Sequence, residues 1–339
     1  MATRIGIVGF GRVGRNIFRQ AYDQPGVEFA AVCDAGEPQS LAYLLNHSTI
    51  EGRFAGEAKL SGNYMLCGGQ KVRMLQESSP GHIPWDAFGV DVVLECTGRF
   101  RARADMEKHL AAGAKNVVLS TPGEGGVDAT VVRGVNCASA TGREKIVSCG
   151  SSSVQALALM LKVLDEAVGI DFASMTTVHA YTGDQTLSDT ARPDLRRSRS
   201  AARNIIPNTT WATAVAESIL PRLAGKLNQG LALNVPVSAG SNIDLVAKLG
   251  KPFAAPEVNA VFKAAADGPM KGLLRYTEEP IVSSDVIRDA STVVYDASAT
   301  QTMPDGLAKV IGWFDNGWAY AARMLETAVI LDNRRKGGA

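Results

Sequence analysis

The strongest constraint on the fold of this chain lies in its first 34 residues. A short apolar strand, a glycine-rich turn, a helix and a second strand follow one another and end on an acid. The turn consists of Gly9, Phe10, Gly11, Arg12, Val13 and Gly14. In such a βαβ unit the first glycine permits a tight turn, the second lets backbone approach a pyrophosphate, and the third lets helix pack on strand. Residues 28–33 read as the second strand, and Asp34 stands about 20 residues beyond Gly14, where a carboxylate reaches ribose hydroxyls. The glycines alone are a weak signal, and an isolated Asp34 reads as a loop or helix cap. In this order they point to dinucleotide binding. A carboxylate at this point repels a ribose 2′-phosphate and favours NAD, while Ala35 and Gly36 leave space for NADP.

The alternation continues. Residues 90–98 and 116–122 read as buried strands, residues 103–112 as a helix with Gly113 as its C-cap, and residues 54–77 as antiparallel hairpins. This pattern predicts a Rossmann-type doubly wound parallel sheet through Val147. Ligands bind beyond the strand C-termini of such sheets, where Thr97, Gly98, Ser120 and Thr121 fall. Ser148-Cys-Gly-Ser-Ser-Ser153 then joins a strand to a helix over residues 152–168. Such a junction is an ordinary serine N-cap, or a place where amides and the helix dipole favour an oxyanion beside an activated nucleophile.

The second half predicts an α+β domain with a mixed or antiparallel sheet. Residues 174–182 form a β-branched strand containing His179, which by itself is a core histidine or a base. The long polar loop 183–203 carries Arg192, Arg196, Arg197, Arg199 and Arg203, suited to a solvated face or to carboxylate, phosphate or subunit contacts. Further strands fall near 232–236, 243–248 and 309–318, with helices near 256–266 and 319–332. The expected division is a dinucleotide-binding domain over 1–151, joined by a terminal helix 317–339, and a catalytic domain over 152–316.

Composition narrows the function. A chain of 339 residues exceeds one ordinary core. A hydrophobic share of 46% and a charged share of 20% describe a soluble globular protein, and a net charge of +1 gives no support for a nucleic-acid or membrane partner. The apolar runs are strand-length, and the chain opens on a strand pattern rather than a signal peptide. The cysteines at 33, 67, 96, 137 and 149 have neither disulfide-framework nor metal spacing, so no metal is expected and a reducing, cytoplasmic setting is.

Many short segments, in order, resemble phosphorylating glyceraldehyde-3-phosphate dehydrogenases along nearly the whole chain. They include Ile7-Val-Gly-Phe-Gly-Arg-Val-Gly-Arg15, Ser48-Thr-Ile-Glu-Gly-Arg-Phe54, Ile83-Pro-Trp85, Glu95-Cys-Thr-Gly98, Thr176-Thr-Val-His-Ala-Tyr-Thr182, Asp194-Leu-Arg-Arg-Ser-Arg199, Asn204-Ile-Ile-Pro207 and Trp313-Phe-Asp-Asn-Gly-Trp318. The resemblance implies NAD-dependent oxidation of a small aldehyde through a covalent acyl-enzyme, in a homotetramer. It implies that His179 is the base, that Asn316 orients the nicotinamide carboxamide, and that Tyr320 lies near that ring. It also implies that Ser151, Ser153, Thr182 and Thr210 belong to the phosphate sites.

Several positions depart from the family pattern, among them Ser78, which replaces an arginine usually found near the adenine. Where the family reads Ser-Asn-Ala-Ser-Cys-Thr-Thr-Asn, this chain reads Ser148-Cys-Gly-Ser-Ser-Ser-Val-Gln155, which puts Ser152 at the nucleophile and Cys149 three residues early. A serine hydroxyl stays protonated at neutral pH, so the usual rate should fall severely. An engineered Cys-to-Ser exchange and a natural divergence both fit. Asn234 replaces a phosphate-binding arginine, and Trp211 replaces a glycine and would crowd inorganic phosphate. A related aldehyde, with its anionic group absent or held elsewhere, as by Arg197 or Arg199, is therefore the expected substrate. The alternatives are a catalytically silent NAD-binding homologue and an esterase-like use of Ser152 and His179.

Overall fold

The computed structural model describes residues 2–337, which form two compact units. The first comprises residues up to Ser151 together with the chain from Tyr320 onward, and the second is Ser152–Ala319. Met1, and Gly338 and Ala339 at the end of the expected terminal segment, lie outside the described residues.

The first unit is a nine-stranded sheet of order Ala129–Thr130, Ile146–Ser148, Asn116–Leu119, Val92–Glu95, Thr3–Val8, Val27–Asp34, Gln70–Gln76, Tyr64–Cys67 and Lys59–Ser61. Strands from Ala129–Thr130 to Gln70–Gln76 are parallel, and the last two turn back antiparallel. The doubly wound sheet is thus present, and the hairpins read at 54–77 form its edge. Branched residues build its centre because both faces are covered. Ile5, Ile7, Val32 and Leu94 pack on one side with Phe18 of helix Arg12–Ala21 and Met324, Ala328 and Leu331 of helix Trp318–Arg335. Val93, Val117 and Ile146 pack on the other with Trp85 and Met106. The terminal helix is tied to the first strand where the Thr3 hydroxyl donates to Asp332 at 2.8 Å.

The sheet's winding direction reverses between Thr3–Val8 and Val92–Glu95. The C-terminal ends of those strands carry Gly9 and Cys96-Thr97-Gly98, which places the topological switch point at the expected ligand crevice.

The second unit is a seven-stranded mixed sheet of order Ile206–Thr209, Leu231–Val235, Ile170–Ala180, Ser241–Leu249, Leu307–Phe314, Val293–Thr302 and Leu274–Thr277. Alternation is clearest in Ser241–Leu249, where Ile243, Leu245 and Ala247 are buried and the residues between them are not. Helices Ser152–Val168, Ala212–Ile219 and Ala255–Asp267 complete the unit, and the first of these packs against the other two. Among the described residues no helix is long and apolar enough to cross a membrane.

Candidate active site

The three turn glycines are required for different reasons. Gly9 has φ +85°, and a Cβ there would stand 2.7 Å from the Thr97 nitrogen, so two strand ends meet at this point. A Cβ on Gly14 would stand 2.3 Å from the Gly9 carbonyl oxygen, which is the helix-on-turn contact. Gly11 is unlike both, because an added Cβ meets nothing within 4 Å. Protein packing does not demand glycine there; close approach of a ligand does. Gly11 is the N-cap of helix Arg12–Ala21, whose first turn holds no acid to compete for the amide dipoles. Phe10 is wholly buried and Val13 packs on the same core, so these two serve the turn through their backbone.

Asp34 Oδ2 accepts the Phe10 N–H at 2.7 Å and Oδ1 accepts the Gly36 N–H at 2.8 Å. A carboxylate has about four acceptor positions, so capacity remains for ribose hydroxyls. A cleft of about 190 Å³ opens here, lined by Gly9, Gly11, Asp34, Ser78, Thr97 and Phe100. Gly98, at φ +66°, likewise leaves open space around its missing Cβ. At the neighbouring strand end, the Ser120 N–H donates to the Glu95 carbonyl at 3.0 Å. The free volume at Gly11 and the placed carboxylate fit a dinucleotide.

The serine-rich junction has a defined shape. Ser148 Oγ donates to the Thr121 carbonyl at 2.8 Å and accepts the Gly150 N–H at 2.9 Å. Gly150 sits at φ +66°, and its carbonyl accepts the Tyr320 hydroxyl at 3.2 Å. Tyr320 is buried, so its structural contact is with the junction; burial also raises its phenol pKa well above the ordinary value. Ser152 is the first residue of helix Ser152–Val168, preceded by half-buried Ser151 and followed by buried Ser153. Cys149 is fully buried, and burial pushes its thiol up to about 12. It is therefore a protonated core residue at neutral pH, unsuited to replace a nucleophile.

In the second unit, His179 lies near the end of strand Ile170–Ala180, with its ring edge-on to Phe314 at 6.4 Å. Its Nδ1 is 3.0 Å from the Ala180 carbonyl oxygen. A carbonyl only accepts, so this contact requires the proton on Nδ1 and leaves the basic lone pair on Nε2. The parallel register pairs His179 with Asn234, so the two side chains share one face of the sheet.

Asn234 is held by other amides. Its Nδ2 donates to Gln185 Oε1 at 3.0 Å, and its Oδ1 accepts Asn208 Nδ2 at 3.4 Å. Gln185 Oε1 also accepts the Thr182 N–H at 3.1 Å, while the Thr182 hydroxyl donates to Asp184. Arg197 pairs with Asp184 through its other carboxylate oxygen, and Arg199 pairs with Asp189 at 3.2 Å. The arginine-rich loop therefore spends these guanidinium groups on its own acids. Thr210 Oγ1 accepts the Ala212 N–H at 3.1 Å at the start of helix Ala212–Ile219, next to Trp211, which is 56% exposed. Asn316 follows strand Leu307–Phe314 in a turn where Asp315 Oδ1 accepts the Gly317 and Trp318 N–H groups at 2.7 Å each. The Asn316 Oδ1 is buried and has no hydrogen-bond partner among the described residues, which fits an amide kept for a ligand carboxamide.

The structure thus links Thr182, Arg197 and Asn234 through Asp184, Gln185 and Asn208, sets His179 beside Asn234 in the strand register, and keeps Gly9, Gly11, Asp34 and Thr97 at one cleft. Sequence reasoning missed Asp184, Gln185 and Asn208, whose only signal was their polar type around motif residues. Among the described residues no cluster suited to a metal ion occurs.

A dinucleotide cleft at a parallel-sheet switch point, on a chain whose mixed-sheet unit carries a hydroxyl at a helix start and an oriented imidazole, defines a two-unit dehydrogenase. Comparison with known proteins makes this specific. Residues 3–103 match the glyceraldehyde 3-phosphate dehydrogenase NAD binding domain, and residues 148–316 match the C-terminal domain of the same enzyme. The chain is 44% identical over 337 residues to the glyceraldehyde-3-phosphate dehydrogenase of Streptomyces coelicolor, covering 98% of this chain and 100% of that one. It is 42% identical over 336 residues to glyceraldehyde-3-phosphate dehydrogenase 2 of Streptomyces avermitilis, covering 98% and 100%. The enzyme of Geobacillus stearothermophilus is 42% identical over 335 residues, covering 98% and 99%. The chain belongs to the glyceraldehyde-3-phosphate dehydrogenase family, and its cofactor is NAD.

Proposed function

We propose that this protein oxidises a small hydroxyaldehyde other than glyceraldehyde 3-phosphate, or reduces the corresponding acyl compound, through an acyl-enzyme at Ser152. The observation that carries this reading is the register pair His179–Asn234, with its amide bonded to Gln185 and Asn208. Neutral donors and acceptors suit a hydroxyl better than a phosphate dianion, and the nearby Arg197 is already neutralised by Asp184. Exposed Trp211 beside Thr210 supports the companion reading that inorganic phosphate is a poor acyl acceptor.

In this mechanism His179 Nε2 takes the proton of the attacking hydroxyl. Amides of the first turn of helix Ser152–Val168 stabilise the oxyanion, and the Asn316 carboxamide orients the nicotinamide. NAD, when bound, would supply the hydride acceptor, and water would then cleave the acyl ester, releasing the acid and restoring the Ser152 hydroxyl. A homotetramer in the cytoplasm accompanies this reading by family membership.

The test is NADH formation by the Ser152→Cys variant across a panel of charged and uncharged aldehydes. A large gain over the unsubstituted protein, with an uncharged hydroxyaldehyde preferred, is the expected result. Silence across the panel, with NAD still bound, would establish the second reading that residue 152 itself favours, a noncatalytic NAD-binding homologue. Hydrolysis of an activated ester by the unsubstituted protein, lost in His179→Ala, would instead support the esterase reading.

A further inference from the structure

Three buried side chains from separate segments form a polar chain beneath the cleft that none of the steps above uses. Glu95 ends strand Val92–Glu95 at 1% exposure, His109 lies on helix Arg103–Ala111 at 0%, and Trp85 is at 0%. The Trp85 Nε1–H donates to His109 Nδ1 at 3.0 Å. An indole nitrogen only donates, so Nδ1 must carry the lone pair and the ring proton must sit on Nε2. That Nε2 stands 3.5 Å from Glu95 Oε2, and neither atom has a hydrogen-bond partner among the described residues. The other carboxylate oxygen, Oε1, accepts the Thr97 N–H at 2.8 Å and the Thr97 hydroxyl. Thr97 Oγ1 in turn accepts the Arg99 N–H at 3.0 Å. Thr97 lines the cleft and lies against Gly9.

We propose that Trp85, His109 and Glu95 act as a positioning relay for NAD: the indole fixes the imidazole tautomer, the imidazole N–H fixes the carboxylate, and the carboxylate fixes the Thr97–Gly98 turn. Burial makes a carboxylate costly unless its oxygens meet donors. Oε1 has two donors, and Oε2, without a hydrogen-bond partner among the described residues, has the imidazole Nε2 at 3.5 Å. The relay is therefore specific in sign. An amide at position 95 that keeps its oxygen toward Thr97 turns its NH₂ toward the His109 N–H, and the two donors oppose each other. The inference rests on NAD binding in this cleft; if the unsubstituted protein bound no NAD, that assignment would fail and not the relay.

Nitrogen-15 spectra of histidine-labelled protein read the tautomer directly, with the His109 signal assigned by its loss in His109→Gln. A proton on Nε2 is expected, and a proton on Nδ1 overturns the relay. Calorimetry reads the function. Glu95→Gln should weaken NAD binding by roughly ten- to a hundredfold, the effect of one buried unsatisfied donor. Adding Trp85→Phe should recover most of the lost NAD affinity, though not the melting temperature, because Nε2 then accepts the new amide while the unpaired proton moves to Nδ1, on the side facing position 85. Equal losses in the single and double variants overturn the proposal, as does a lowered melting temperature with unchanged NAD affinity. If Glu95→Gln does not fold, His109→Gln and His109→Leu decide. Glutamine can accept from Trp85 and donate to Glu95, so it should stay within about threefold of the parent, while leucine should lose about tenfold. Equal affinities for those two variants refute the relay.

Discussion

Replacing Asn234 by arginine, in a Ser152→Cys background that makes turnover measurable, tests the reading of the substrate end most directly. Asn234 shares a sheet face with His179, so a guanidinium there enters the neighbourhood of that imidazole. The substitution removes the bond to Gln185 at 3.0 Å and the weak bond to Asn208 at 3.4 Å. Neutral hydrogen bonds contribute about 0.5–1.5 kcal/mol each, so the fold should lose roughly 1–2 kcal/mol. Against this, a charge-assisted bond to a substrate phosphate contributes about 1.5–3 kcal/mol. That gain corresponds to roughly a ten- to hundredfold lower KM for a phosphorylated aldehyde. The existing guanidinium of Arg197 does not supply this contact, because Asp184 holds it. Initial rates of NADH formation with glyceraldehyde and with glyceraldehyde 3-phosphate give the comparison. The expected outcome is a KM that falls for the phosphorylated substrate alone. Parallel changes for both aldehydes, or a parent protein that already prefers the phosphorylated one strongly, would refute the reasoning.

The glycine turn yields a pair of opposite expectations. Gly11→Ala should leave thermal stability unchanged or raise it by about 0.4–1 kcal/mol, yet weaken NAD binding by about tenfold or more, since its Cβ meets only the ligand's space. Gly9→Ala should destabilise the first unit by about 1–2 kcal/mol or more, because alanine at φ +85° is strained and its Cβ meets the Thr97 nitrogen. Calorimetry and thermal unfolding separate the two. Acid sensitivity follows from Asp128. Burial raises its pKa, but the Ile146 N–H, Arg103 and the Lys145 N–H outweigh this and hold it below the ordinary value of 3.8. Its stabilisation is therefore complete above the unfolded-state pKa and lost as pH falls through the lower folded-state value. Unfolding measured from neutral to acid pH should show a shallower decline in Asp128→Asn than in the parent protein, and equal slopes would count against the assignment.

Local patterns carried the first unit well, for physical reasons. Its central strands are buried on both faces and read as unbroken branched runs, and Gly9 and Gly14 are demanded by φ or by contact. Helix Ser152–Val168 was legible because a serine run meets a long apolar stretch. The second unit was harder. Strands Ile206–Thr209 and Leu274–Thr277 were not read as strands, since these four-residue segments at the two sheet edges gain their structure from neighbours across the sheet. Val293–Thr302 was also missed, although it lies inside the sheet and opens on the buried run Val293-Val-Tyr295. The relay beneath the cleft was out of reach altogether. Trp85, Glu95 and His109 each sit in a family-like segment, but their contact depends on a loop, a strand end and a helix brought together over 24 residues of chain.

The junction at 148–153 shows why a serine at its centre matters more than the serines around it. Ser148 is fully occupied as structure, bonded to Thr121 and Gly150, and Tyr320 clamps the same glycine from the terminal helix. None of these contacts uses the side chain at 152, so the turn keeps its shape whether that residue offers oxygen or sulfur. The nearest thiol in sequence, Cys149, points into the core with its proton held up to about 12, and lowering that value would require exposing it to solvent or a cation. The scaffold therefore fixes where a nucleophile stands and leaves its reactivity to one atom. Under the proposed mechanism, oxygen at this position would leave activation to His179, whose tautomer presents Nε2, and a thiol there would react faster.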